Sequence, residues 1–173
     1  MSVKERISNL RSEGGGVYAY GANAVVRNCL IVGCRSEGYL DTGSAAFVGG
    51  GAKFYNNTVW SNTTVRAVKA DVCAQNACTI ANTITETAYN TDDAGTFKNC
   101  FIAATDGDPK FRSAKKAAFH LKSSSPCINA GDNSLWDGVA DPVDLDGTPR
   151  IRNGIVDIGC FEGDQSGLML IVR

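Results

Sequence analysis

The sequence predicts an all-β chain whose short strands stack as about three to four parallel coils of a right-handed solenoid, closed by an irregular C-terminal segment. Three observations carry this. First, a cassette recurs: GSAAFVGGGAKFYNNTVWS (43 to 61) lies over GGVYAYGANAVVRNCLIVG (15 to 33) at an offset of 28, ADVCAQNACTIANTIT (70 to 85) follows at 25, and a shortened TFKNCFIA (96 to 103) after another 18. Periods of this kind mark stacked structural repeats. Second, each copy reads as apolar strand, small-residue turn, second strand, Asn-containing corner and third strand, which is one coil of a parallel solenoid. Third, the repeat stops near residue 104, after which no coil period is visible. The right hand follows from the chirality of parallel crossovers.

Strand phase follows from the aligned copies, because side chains alternate faces with period two. In the first strand Val17 and Ala19, Ala45 and Phe47, and Ala70 and Val72 are expected inside, with Asp71 facing out. In the second strand the inward set is Ala24 and Val26, Ala52 and Phe54, Ala77 and Thr79, with Phe97, leaving Arg27, Lys53, Tyr55 and Lys98 toward solvent. After the corner, Cys29 and Ile31, Asn57 and Val59, Asn82 and Ile84, and Cys100 and Ile102 stack inward. The buried Asn require hydrogen-bond partners. The corners fall at Asn28, Asn56, Ala81 and Asn99, where Asn tolerates a left-handed backbone and bonds its own turn.

The expected organisation is an N-terminal remnant or capping segment over 1–13, coils over 14–103, and a C-terminal cap of the same domain over 104–173. A short amphipathic helix through Val3, Ile7 and Leu10 is one reading of the first segment; the tail of an upstream coil is the other. The formal charge of −1 gives no electrostatic reason to expect a nucleic-acid partner. The longest apolar runs, such as LMLIV (168 to 172), fall far short of the roughly 20 residues of a spanning helix. The first residues hold no apolar stretch of secretory-signal length, so the chain is expected to be either cytosolic or a piece of something larger; the open end of a first coil behind only fourteen mostly polar residues favours a C-terminal fragment.

The ordered motifs DPKF, FHLKSSSPCINAGD, DLDGTPRI and VDIGCFE resemble the C-terminal signature of secreted bacterial right-handed parallel β-helix proteins of the choice-of-anchor Q type. The resemblance covers residues 14 to 162. It implies a pectate-lyase-like β-helix with this segment as its cap, in a parent protein that is extracellular or surface-attached. It implies little about chemistry.

No catalytic residue emerges. A hydrolase needs two or three carboxylates on one strip, and none is visible. His120, between Phe119 and Leu121, reads as a structural histidine. The GGG runs at 14 to 16 and 49 to 51 lack the Lys-Ser/Thr that closes a phosphate loop and read as tight turns. The strip Arg27, Lys53, Tyr55, Trp60 and Lys98 sets aromatic faces beside cationic donors, a combination suited to polysaccharides and cell-surface glycans.

Eight of the eighteen acidic residues lie between positions 132 and 164, and DPVDLDG looks like the start of a calcium loop at Asp141, Asp144 and Asp146. A complete loop needs a Glu at position 153, which is Asn; turns bonded by carboxylates are the competing reading. Calcium is the one cofactor the sequence raises. Of seven Cys, Cys29 and Cys100 have inward phase, Cys73 and Cys78 flank a turn with outward phase, and Cys127 with Cys160 is the favoured disulfide.

The functional expectation is therefore a non-catalytic β-helix module, glycan-binding or adhesive. The alternative is the tail of a polysaccharide lyase or glycoside hydrolase whose active coils lie upstream. An uncovered first coil also predicts a homodimer formed through it.

Overall fold

The computed structural model describes residues 15–36, 43–64, 70–116, 118–137, 139–140 and 142–163. The readings placed on 1–14, 164–173, Gly138 and Asp141 lie outside the described residues. The first repeat contributes β1 (Val17–Tyr20), β2 (Val25–Arg27), β3 (Leu30–Val32) and β4 (Arg35–Ser36). The second contributes β5 (Ala46–Gly49), β6 (Lys53–Tyr55), β7 (Thr58–Trp60) and β8 (Thr63–Thr64). The third contributes β9 (Val72–Gln75), β10 (Thr79–Ala81) and β11 (Ile84–Thr85), and the fourth β12 (Ala88–Asn90), β13 (Thr96–Lys98) and β14 (Phe101–Ile102).

Strands pair only with their counterparts in neighbouring repeats. Three four-stranded parallel sheets result, ordered β1-β5-β9-β12, β2-β6-β10-β13 and β3-β7-β11-β14, with a small parallel pair β4-β8. Sequence neighbours are never sheet neighbours here, so every strand of these sheets is held by residues at least a repeat away. Among the described residues helix is confined to α1 (Ala103–Asp106) and two 3-10 turns, Ala114–Lys116 and Asn133–Trp136. Among the described residues no helix is long and apolar enough to cross a membrane.

One core cluster draws on all three sheets: Ala19, Val48, Val72 and Ala74 from the first, Phe54 and Ile80 from the second, Ile31 and Val59 from the third. Phe54 has no exposed surface, and truncating such a ring costs about 3–5 kcal/mol.

The observed register corrects the predicted one at three places. The first and second repeats are offset by 29 in the first sheet, where Val17 pairs with Ala46, but by 28 in the second, where Val25 pairs with Lys53. The turn Gly21–Ala24 is one residue longer than its counterpart. Ala46 and Val48 therefore face the core, and Phe47 stacks outside it under Tyr18, with ring centroids 5.3 Å apart. The second and third repeats are offset by 26 throughout, as in Ala46 with Val72, Lys53 with Thr79 and Thr58 with Ile84. A one-residue slip exchanges the two faces of a strand. Cys78 and Ile80 thus replace Ala77 and Thr79 in the core, and Ile84 turns outward. The fourth repeat is also fuller than expected, because β12 pairs with β9 and completes the first sheet.

The corrected register strengthens the corner signal. Asn28, Asn56, Asn82 and Asn99 all have positive φ, between 45° and 54°, so the corner residue of the third repeat is Asn82 rather than Ala81. Asn57 is buried as expected, with its amide satisfied by the previous repeat: Cys29 N–H donates to Oδ1 at 2.8 Å, and Nδ2 donates to the Val26 carbonyl at 3.1 Å. Asp71 is buried rather than exposed, accepting from the hydroxyls of Ser44 and Thr87, while Val72 beside it lies in the core as expected.

The last segment begins with an antiparallel hairpin, β15 (Phe111–Ser113) and β16 (Ala118–Leu121), and continues mostly as turns. It lies along the outer faces of the second and third sheets. Phe111, Phe119, Leu121, Cys127, Ile158, Cys160 and Phe161 pack on Ile84 and Phe101, while Trp136 and Val156 pack on Tyr55 and Ala81.

Candidate functional site

The lateral position of the C-terminal segment decides the fate of the predicted strip. Tyr55 does point outward from the second sheet, but Trp136 covers it edge-on at 5.4 Å and leaves it 6% exposed. Arg27 donates to the Tyr55 hydroxyl at 3.0 Å and carries its guanidinium 5.2 Å from the Trp136 ring. Trp60 packs edge-on against Phe111 at 5.0 Å. Lys98 pairs with Asp132 at 2.6 Å, and that hydrogen-bonded ammonium holds the Asp132 carboxyl down to about 2. Lys53 stays exposed. The expected platform of Tyr55 and Trp60 toward solvent is therefore corrected: both rings serve to seat the C-terminal segment.

The corner asparagines form the other half of that seat. Asn56 Nδ2 donates to the Asp157 carbonyl at 2.9 Å, and Asn82 Nδ2 to that of Asp132 at 3.0 Å. Asn28 Nδ2 donates to the Val143 carbonyl at 2.6 Å, and Asn99 Nδ2 to that of Ala130 at 3.3 Å. A left-handed corner turns each amide outward, and the facing segment supplies unpaired carbonyls. One residue type thus shapes the turns and docks the segment laid over them.

The acidic residues are engaged in the same construction. Asp144 is buried and accepts three backbone donors: Asp146 at 2.9 Å, Thr148 at 2.8 Å and Glu162 at 2.7 Å. A carboxylate filled by N–H groups holds a turn and has little left for a cation. Asp146 instead contacts His120, Oδ2 to Nε2, at 2.6 Å. Among the described residues no group of three or more acidic, His or Cys side chains could hold a metal ion. The motif residues tie the segment together: Ser125 Oγ donates to the Pro109 carbonyl, and Asp157 accepts from Asn129 and Gly163 N–H.

At the centre of these ties lies Arg150, fully buried. It pairs with Glu162 at 2.8 Å, donates to Asn28 Oδ1, and faces the Trp136 ring at 5.4 Å. Burial and the charge of Asp157 push the Glu162 carboxyl up to about 7, against the opposing pull of Arg150. Burial likewise raises Asp157.

No disulfide joins any of the seven cysteines. Cys127 and Cys160 share one apolar cluster without a bond between them, and burial pushes both to about 12, so the expected disulfide is corrected to two packed, protonated thiols. Cys73 and Cys78, expected outward, are both buried, and Cys78 belongs to the inner core.

An aromatic surface does exist, on the outer face of the first sheet. Tyr18 and Tyr20 alternate with the inward Val17 and Ala19 along β1, so both rings leave on the same side. Their planes lie within 10° of each other with centroids 6.1 Å apart, and they are 56% and 51% exposed. Tyr20 lies across the turn after β5, where a Cβ on Gly50 would come within 2.6 Å of its ring, and its hydroxyl accepts from Asn76 Nδ2 at 3.2 Å. The alternation VYAY already carried this signal, since placing Val17 and Ala19 inside forces both tyrosines out.

Comparison of the chain with protein-family models, with curated proteins and with solved structures finds no match.

Proposed function

We propose that this chain is a non-catalytic module in which the three parallel sheets form the faces of a right-handed parallel β-helix, and that it binds glycan on the Tyr18–Tyr20 surface. The observation that carries the reading is the pair of half-exposed tyrosine rings on one sheet face, their planes parallel to within 10° and their centroids 6.1 Å apart. The C–H faces of sugar rings pack on flat aromatic faces, and hydroxyl and amide groups nearby take up the sugar hydroxyls. Gln75 and Asn76 supply such groups beside Tyr20. A binding role also suits the buried acidic groups and thiols, which are occupied by backbone donors or held protonated in the core. Placement at a bacterial cell surface rests on the resemblance of the four C-terminal motifs.

The test is titration of the purified chain with a panel of neutral and acidic polysaccharides. Saturable binding is expected, weakened at least about tenfold by Tyr18→Ala and by Tyr20→Ala, because each removes one stacking face. Tyr55→Phe, under Trp136, is expected to leave affinity unchanged. Binding indifferent to both tyrosine substitutions, or no binding across the panel, would sink the reading.

A further inference from the structure

The C-terminal segment carries an open cleft of about 670 Å³, lined by Arg112, His120, Asp146, Thr148, Arg152 and Glu162 among others. Its construction starts with the hairpin. Phe111, Phe119 and Leu121 face the core, so the alternate positions Arg112 and His120 emerge together on the opposite face. The His120 ring stacks on Phe161 at 4.1 Å and is fixed by Asp146 at 2.6 Å. The turn opposite, held by Asp144, brings Thr148 and Arg152 to the same opening.

The charges in this cleft do not cancel. Asp146 is engaged by His120, and Glu162 is turned inward onto Arg150, with its side chain 1% exposed. The Arg112 side chain makes no hydrogen bond or ion pair among the described residues, and the Arg152 guanidinium makes among them only a 3.5 Å hydrogen bond to the Gly163 carbonyl. Asp157 feels the charge of Arg152, but its oxygens already accept from Asn129 and Gly163. Two guanidinium forks with spare donors therefore line one recess beside a hydroxyl. Guanidinium is matched in shape and charge to carboxylate and phosphate.

We propose that this cleft binds an oxyanion, a carboxylate or phosphate group of a larger ligand, with Arg112 and Arg152 as its charged contacts and Thr148 as a neutral donor. The site is separate from the tyrosine surface and stands or falls independently of it.

The test is calorimetric titration of the full chain with oligogalacturonate and, in a separate arm, with inorganic phosphate, using a neutral cello-oligosaccharide for comparison. Saturable binding of at least one charged probe is expected, weakened at least about tenfold in Arg112→Ala/Arg152→Ala and retained in Tyr18→Ala/Tyr20→Ala. Displacement of oligogalacturonate by phosphate places both at one site. Uronate binding that phosphate does not displace assigns the cleft to acidic sugars, and phosphate binding alone assigns it to phosphate. Because Arg112 is exposed and its side chain makes no hydrogen bond or ion pair among the described residues, Arg112→Ala alone is expected to keep the fold and to weaken the charged probe in the same direction by a smaller factor. Absence of saturation by either charged probe at about 10 mM, or affinity unchanged in the arginine variants, overturns the proposal. Charged-probe binding lost in the tyrosine variants instead overturns it too, while leaving the tyrosine surface intact.

Discussion

The indole Nε1 of Trp136 donates to the side-chain carbonyl of Asn56 at 3.0 Å, joining a corner of the second repeat to a turn 80 residues later. The same Asn56 oxygen accepts from Asn82 Nδ2 at 3.1 Å, so two corners and the last segment meet at one buried atom. In a low-dielectric interior such a shared acceptor is costly to remove, since both donors are left without partners.

Trp136→Phe keeps the ring over Tyr55 but deletes the donor, and is expected to cost about 1 kcal/mol in urea unfolding. Asn56→Gly loses every side-chain bond but also removes the Cβ from the left-handed corner; Asn56→Ala loses the same bonds and keeps a Cβ at φ 50° without the amide that compensates it. Asn56→Ala is expected to be the worse by about 1–2 kcal/mol. Equal stabilities for the two would show that backbone strain plays no part at these corners.

The turn between β9 and β10 places Asn76 and Ala77 at φ 53° and 56°, where the preceding repeat uses Gly50 and Gly51. Ala gains nothing from a left-handed backbone, whereas Gly adopts it without strain. Ala77→Gly is expected to raise stability by up to about 1 kcal/mol, net of the added freedom of the unfolded chain. A lowered melting temperature would count against the strain argument.

Glu162 makes stability depend on pH. Its carboxyl is raised by burial and by Asp157, so the folded chain keeps a proton that the unfolded chain releases in the ordinary carboxylate range. That contribution is present at low pH and is lost as pH rises through about 7. The melting temperature is expected to be higher at about pH 5 than at about pH 8, with the slope largely abolished in Glu162→Gln. The Asp157 shift has the same sign. A wild-type profile that climbs over this range would contradict the assignment.

Among the described residues β1, β2 and β3 each pair on one side only, leaving one edge of each main sheet at the first repeat. Parallel edges of this kind template further pairing. Self-association through the first repeat is expected in light scattering, weakened by a proline at Tyr18 or Val26. A mass independent of concentration and equal to one chain would exclude it.

The repeats were legible in the sequence because their mechanism is local: small-residue turns and Asn corners recur wherever the chain bends. Phase was less legible. The stretch AAFV has no polar residue to mark a face, so Phe47 could be assigned to either side. In ANTIT the choice between Ala81 and Asn82 as corner settled the direction of Ile84. The acid Asp71 marked the phase that puts Val72 in the core, but not its own burial, which comes from the hydroxyls of Ser44 and Thr87 closing over it. The fate of Tyr55 and Trp60 was not readable at all. Their outward direction is a local property, but the cover provided by Trp136 and Phe111 comes from distant chain.

The buried thiols give the molecule a set of internal clocks. Buried, protonated sulfhydryls react with alkylating reagents only when the structure around them opens. Cys127 and Cys160 belong to the C-terminal segment, in the cluster that packs it on Ile84 and Phe101, whereas Cys78 sits in the core shared by the three sheets. Their relative labelling rates would therefore time the peeling of that segment separately from the parting of the sheets, with no probe added to the native chain.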